Sequence, residues 1–207
     1  ATPYLQQPIK YGADLVIHSA TKLMDGQGRV LGGVTVGSKE LIRELFLFAR
    51  NTGASLSPFN AWVLSKSLET LAVRVDRHCD NAFTIAEKLE VSQNINWVKY
   101  PFLKSHPQYA LAKKQMLKGG NIIAFELIGG LEAGQNFINA IELCSLSSNL
   151  GDSRTIITHP ASTTHSKLTK EDRMAVGITD GMIRLSIGLE HPEDIWNDLK
   201  NALSKIG

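Results

Sequence analysis

The sequence has 207 residues, enough to bury one or two sizeable cores. Its 22 basic and 20 acidic residues leave a net charge of +2, and no basic stripe is interleaved with aromatics, which argues against nucleic acid or a polyanionic surface as partner. Cys79 and Cys144, the only cysteines, each fall in a segment that reads as regular structure, the pattern of reduced structural thiols in a cytoplasmic protein. No apolar run approaches a membrane span, and nothing resembles a signal peptide.

Near the start of the chain, Ala13, Leu15, Val16 and Ile17 predict a short strand buried on both faces. The run breaks at once into His18, Ser19, Thr21 and Lys22, followed by Gly26, Gly28, Gly32 and Gly33. An amine beside two hydroxyls at a strand end suits a phosphorylated carbonyl cofactor, with Lys22 as the Schiff-base amine and Ser19 and Thr21 on phosphate oxygens. A lysine after a strand is more often a solvated surface residue, and residue chemistry by itself leaves both readings open. The glycines do not make a dinucleotide fingerprint. Leu31 stands where the third glycine of GxGxxG belongs, and the acidic residue expected about twenty positions on is absent.

Leu31 to Val36 reads as a second buried strand, after which Ser38 caps a helix from Lys39 to about Arg50. Leu41, Ile42, Leu45, Phe48 and Ala49 recur at helical spacing on that helix and are expected in the core. A polar loop, Asn51 to Ser57, leads to Ser57-Pro58, a capping hydroxyl followed by proline at the first helical position. No glycine or proline interrupts the chain from there to Leu89, which is long for one globular helix. A domain boundary near Ala72 explains this length, dividing the chain into residues 1–72 and 73–207. Arg74, Asp76, Arg77 and Asp80 read as a solvated or interfacial face.

Beyond Ile95, short strands and helices alternate: a strand at 97–100, a helix from Pro107 to Met116, a strand at 122–128 and a helix at 131–141. This density predicts a small α/β sandwich, a sheet with helices on one side. Cys144 to Leu146 is a further apolar run, followed by the turn-forming Ser147-Ser148-Asn149-Leu150-Gly151-Asp152. His159 and His165 lie six apart on a Pro-containing loop, without the spacing or company of a zinc pair. Thr169 caps a helix through Val176. In Met182 to Ile187 the alternation puts Ile183, Leu185 and Ile187 on one face and Met182, Arg184 and Ser186 on the other. Pro192 and Glu193 open the last helix, with Ile195, Leu199 and Leu203 packed inward.

His18-Ser19-Ala20-Thr21-Lys22, preceded by Gly12-Ala13-Asp14 and followed by Gly32-Gly33, resembles the lysine segment of the Cys/Met-metabolism family of pyridoxal-phosphate enzymes. The family includes cystathionine synthases and lyases, methionine γ-lyases and homoserine-ester sulfhydrylases. His159-Pro160-Ala161-Ser162-Thr163-Thr164-His165 matches a second family hallmark, and Asp25-Gly26-Gln27-Gly28-Arg29 is most similar to the O-succinylhomoserine sulfhydrylase branch. The resemblance implies the C-terminal part of a fold-type I transferase, with the end of the large cofactor domain in 1–72 and a small C-terminal α/β domain in 73–207.

The same resemblance implies pyridoxal 5'-phosphate on Lys22, with Ser19 and Thr21 at its phosphate. Arg184 is then the clamp on the substrate's α-carboxylate. Asn149 stands where relatives usually have the serine of Ser-Leu-Gly, beside that carboxylate, and Ser55 is a further contact. The implied reaction converts O-succinylhomoserine and sulfide to homocysteine and succinate in a homotetramer; O-acetylhomoserine sulfhydrylase, cystathionine γ-synthase and methionine γ-lyase share these residues. A reading of another class stays open. Ala1-Thr2-Pro3 opens where members carry an Asp-Asn-Thr segment immediately upstream, so the chain is expected to cover about half of a member, as an inactive fragment or interaction module.

Overall fold

The computed structural model describes residues 2–53 and 55–206; Ala54, in the loop expected to supply Ser55, lies outside them. After a short 3-10 helix (Pro8–Tyr11) the chain forms strand β1 (Leu15–Ser19), the lysine-bearing turn Ala20–Met24, strand β2 (Gly33–Gly37) and helices α1 (Lys39–Thr52), α2 (Pro58–Leu68) and α3 (Leu71–Glu90). It continues through β3 (Ile95–Lys99), α4 (Tyr109–Gln115), β4 (Ile122–Leu127), α5 (Gly130–Asn139), β5 (Ser145–Leu146) and β6 (Ile156–Thr158). Helix α6 (Lys170–Ala175), strand β7 (Met182–Ser186) and helix α7 (Pro192–Leu203) complete it.

The alternating strands β4 and β7 organise the larger core. They sit in a five-stranded sheet of order β3-β4-β7-β6-β5, antiparallel except for the β5–β6 pair. Ile123, Phe125 and Leu127 on β4, with Ile183 and Leu185 on β7 and the adjacent Ile187, bury their side chains beneath α3, α5 and α7. Phe125 meets Phe137 of α5 edge to face, the centroids 5.9 Å apart, as aromatic quadrupoles favour. The Asp198 carboxylate accepts from the amides of Glu142, Leu143 and Cys144, fastening α7 to the approach to β5. The expected α/β sheet with helices on one side is thus present. Arg184 lies on its opposite face.

The part of the chain around Lys22 packs differently. β1 and β2 form a two-stranded antiparallel sheet in which Ser19 pairs with Gly33 and Leu15 with Gly37. Its core is small: Ala20, Met24, Val30, Val63 and Leu64. Contrary to expectation, β1 is not buried on both faces; Ile17 is 77% exposed, and Val36 of β2 is also exposed. Helix α1 is capped by Ser38 as expected, but it buries none of its residues, and Phe48 is 66% exposed. The apolar pattern is real, but no second layer among the described residues covers it.

The chain from Ser57 to Leu89 is not one helix. Ser57 caps α2 by accepting from the Asn60 amide, and the helical run is interrupted at Glu69–Thr70 before α3 begins. The smaller cluster draws only on residues 20–64 and the largest only on 82–203. Between them, Leu5 packs on Leu71, Val75 and Cys79 of α3. Helix α4 starts at Tyr109, two residues after the expected Pro107. No helix among the described residues is long and apolar enough to cross a membrane. Cys79 and Cys144 are free and buried, and burial pushes both thiols up, Cys79 to about 11.

Two buried imidazoles give the fold a pH dependence. His78 donates from Nδ1 to the Ile187 carbonyl at 2.7 Å; His159 donates from Nε2 to the Asp180 carbonyl and accepts from Ser162 at Nδ1, each at 2.8 Å. Burial, the largest cause in both, lowers their pKa from the ordinary 6.5. Protons therefore bind the unfolded chain first, and the stability contributed by the neutral rings is lost as pH falls below the unfolded value. The urea midpoint is expected to be lower at about pH 5.5 than at about pH 7.5. The variant lacking both rings, His78→Asn with His159→Asn, should lose most of this difference, the part due to His18 remaining, and equal midpoints in the parent would contradict the assignment.

Candidate active site

Lys22 projects from the turn that follows β1. Ala20 anchors this turn by complete burial, and amide bonds from Asp25 to the Ala20 carbonyl (2.9 Å) and from Gly26 to the Lys22 carbonyl (2.8 Å) close it. Lys22 itself leaves helical geometry, with φ −91° and ψ −127°. Its Nζ donates to Asn149 Oδ1 at 2.6 Å. Two cavities meet at this amine. One of about 370 Å³ is lined by Thr21, Lys22, Gly28, Arg29, Ser148 and Asn149; the other, about 210 Å³, takes in His18, Ser19, Lys22, Asn121 and Leu150. Thr21 thus lines the larger cavity and Ser19 the smaller, and Thr21 Oγ1 already accepts from the Gly32 amide at 3.1 Å.

The Ser147–Asp152 loop reaches the lysine because of one glycine. Gly151 has φ +75°, and a Cβ there would stand 2.7 Å from the Leu23 amide nitrogen, so a side chain would push the loop off the lysine turn. The Gly151 amide also donates to the buried Ser186 hydroxyl at 2.8 Å. Arg184, two residues earlier on β7, donates through Nη2 to the carbonyls of Ser148 (3.0 Å) and Asn149 (3.1 Å) and to Thr158 Oγ1 (3.2 Å). Asn149 is thus shared, its side chain on Lys22 and its backbone on Arg184. Arg184 does not itself line the larger cavity.

Arg184 Nε is buried with no hydrogen-bond partner among the described residues, and no ion pair is formed there. Burial lowers its pKa from the ordinary arginine value, with no carboxylate to offset the effect. The Nε proton thus stands in the structure without an acceptor among the described residues.

Reading the residues in order missed a second layer beneath the lysine. Asp25 is completely buried and accepts from the amide (2.7 Å) and Nε (2.9 Å) of Arg29, whose Nη2 reaches Ser67 Oγ at 2.6 Å. Arg74, expected on a solvated or interfacial face, is only 8% exposed and donates to carbonyls of the lysine turn. The signal was available: Arg74 falls between Leu71 and Val75 on the buried stripe of α3. Asp76 and Asp80 do lie at the surface, both paired with Lys118.

The model of the family described as Cys/Met metabolism PLP-dependent enzyme matches residues 1–204. The chain belongs to this family. Pyridoxal phosphate is accordingly the cofactor of the Cys/Met-metabolism enzymes to which it is related. An L-methionine γ-lyase from Porphyromonas gingivalis is 49% identical over 207 residues, which are 99% of this chain and 52% of the relative. An O-succinylhomoserine sulfhydrylase from Pseudomonas aeruginosa is 47% identical over 205 residues, 99% of this chain and 51% of the relative. The crystal structure of a cystathionine γ-synthase from Xanthomonas oryzae pv. oryzae, in complex with aminoacrylate and cysteine, superposes with a TM-score of 0.94 at 42% identity, covering 99% of this chain and 53% of that one. The chain spans about half the length of the relatives it matches.

Proposed function

We propose that this chain carries the lysine and the carboxylate clamp of a pyridoxal-phosphate enzyme that replaces the γ-substituent of an activated homoserine ester, converting O-succinylhomoserine and sulfide to homocysteine and succinate. The observation that carries the reading is the shared loop: Asn149 Oδ1 accepts from Lys22 while its carbonyl accepts from Arg184. The residues fit the cofactor. Lys22 lines two adjoining cavities, its amine held by a neutral amide that a ligand can replace, and in this reading the nearby hydroxyls of Ser19 and Thr21 take phosphate oxygens. Pyridoxal phosphate supplies the electron sink when bound.

Lys22 would hold the cofactor through its Nζ, and in its free, neutral form that amine would take the proton from the substrate's Cα. Arg184 orients the α-carboxylate through its unpartnered Nε, and Asn149 turns its amide from Lys22 to that carboxylate. In this reading residues 1–72 belong to the cofactor domain and 73–207 to the small domain. The exposed Ile17, Leu31, Phe48 and Trp62 supply apolar surface for further polypeptide, consistent with a homotetramer, and the free buried thiols suit a cytoplasmic setting.

A second reading, elimination from methionine, is favoured by the methionine γ-lyases at 49% identity. Product analysis separates the two. Homocysteine from O-succinylhomoserine and sulfide is expected to outpace both cystathionine formed with cysteine and methanethiol released from methionine. Either of the latter running faster would overturn the assignment, with O-acetylhomoserine as the arm that fixes the acyl group. A protein that stays colourless with pyridoxal phosphate would support a non-catalytic interaction module instead.

A further inference from the structure

We propose that Arg74 is a positioning residue for Lys22, a latch that fixes the end of the lysine turn, and that Gly26 is the residue that leaves room for it. The inference rests on the reading of Lys22 as the cofactor-binding amine. Arg74 donates from Nη1 to the Leu23 carbonyl at 2.8 Å and from Nη2 to the Met24 carbonyl at 3.1 Å, the two residues that follow the lysine. The same guanidinium reaches the Ser67 carbonyl at 3.0 Å through Nη2 and Thr70 Oγ1 at 3.2 Å through Nε. All of its nitrogens are therefore used, and its targets come from two separate segments.

The turn needs such a donor. Five residues are too few for a helix to hold itself, and the non-helical dihedrals at Lys22 leave the carbonyls after it without a ladder. A guanidinium at the carbonyl end also matches the partial negative charge collected there. The interruption between α2 and α3 at Glu69–Thr70 has a role in this arrangement, since it brings the Thr70 hydroxyl to Arg74 and leaves the Ser67 carbonyl, which also accepts from Thr70, within reach of the same guanidinium.

Gly26 completes the device. It has φ +73°, and a Cβ built on it would overlap Arg74 Nη1 and crowd Cζ at 2.8 Å. Asp25, fully buried next to it, is occupied by Arg29 and makes no direct bond to Arg74. A buried cation without its own carboxylate is a poor means of stabilising a fold. Its contacts instead define where the lysine backbone stands.

Hydrogen exchange at the Asp25 and Gly26 amides, whose bonds close the turn, reads the latch without cofactor. Arg74→Ala is expected to speed that exchange by roughly tenfold or more while the amides of β4 and β7 keep theirs. Gly26→Ala should do the same in the parent and have a smaller effect in the Arg74→Ala background, where only its backbone strain remains. Arg74→Lys, a point charge without the fork, should not restore protection. With pyridoxal phosphate added, Arg74→Ala should shift the pH dependence of the absorbance gained on binding to Lys22, which a merely structural arginine would not do.

Parent-like exchange at Asp25 and Gly26 would overturn the latch, as would loss of protection throughout β4 and β7. A loosened turn with an unaltered pH dependence of cofactor uptake would overturn the positioning role. Lys22→Ala is the arm for the underlying reading: if it still gains the absorbance, the function assigned to Lys22 fails, whatever the exchange at Asp25 shows.

Discussion

Lys22→Ala is expected to abolish the absorbance gained with pyridoxal phosphate and to lower γ-replacement turnover by about 10²–10⁴-fold, the usual range for loss of a positioned acid–base group, or by more because the amine is also the attachment point. The fold should barely respond. The amine makes one hydrogen bond, to Asn149, and the residue is only half-buried, so the parent and variant should unfold at closely similar urea concentrations. Lys22→Arg should not rescue turnover, because a guanidinium stays protonated and cannot attack or accept a proton near neutrality. Turnover within tenfold of the parent in Lys22→Ala would contradict the assignment.

Arg184→Ala should act mainly on substrate binding. Removing a charge-assisted pair to a carboxylate forfeits about 1.5–3 kcal/mol, a rise in KM of roughly 10–100-fold. The side chain also holds the Ser148 and Asn149 carbonyls, so some loss of kcat is expected through the displaced loop. Arg184→Lys keeps the charge without the fork and should fall between the two. Thr158→Val separates the effects: it removes one anchor of the guanidinium at 3.2 Å and leaves its Nε donor in place. KM should then change much less than in Arg184→Ala. An unchanged KM in Arg184→Ala, with kcat alone reduced, would remove Arg184 from the carboxylate site.

Much of the larger core was legible because local pattern and tertiary environment agree there. Ile183, Leu185 and Ile187 alternate with Met182, Arg184 and Ser186, and the observed strand buries the first set under α3, α5 and α7. The caps at Ser38, Ser57 and Thr169 were legible for the same reason, since each bond spans three residues. Around the lysine, pattern and environment part company. Ile17 and Phe48 have the spacing of buried residues but no covering layer among the described residues, and spacing records a tendency to be covered rather than the presence of the cover. Arg74 was misread for the opposite reason. A charged residue among other charges suggests solvent, and its partners, the carbonyls of Leu23 and Met24, lie about fifty positions away. The contact of Asn149 with Lys22 spans a separation of 127 residues and follows from the tertiary path of the Gly151 loop.

The imbalance between the two hydrophobic clusters has a mechanical consequence. The Lys22 amine is mounted on the lightly packed portion, whereas the guanidinium that faces the same loop belongs to a strand in the middle of the heavily packed one. Local opening should therefore begin on the lysine side and leave the arginine side intact. A bound ligand that touches both would act as a splint, lending the rigidity of the sheet to the turn.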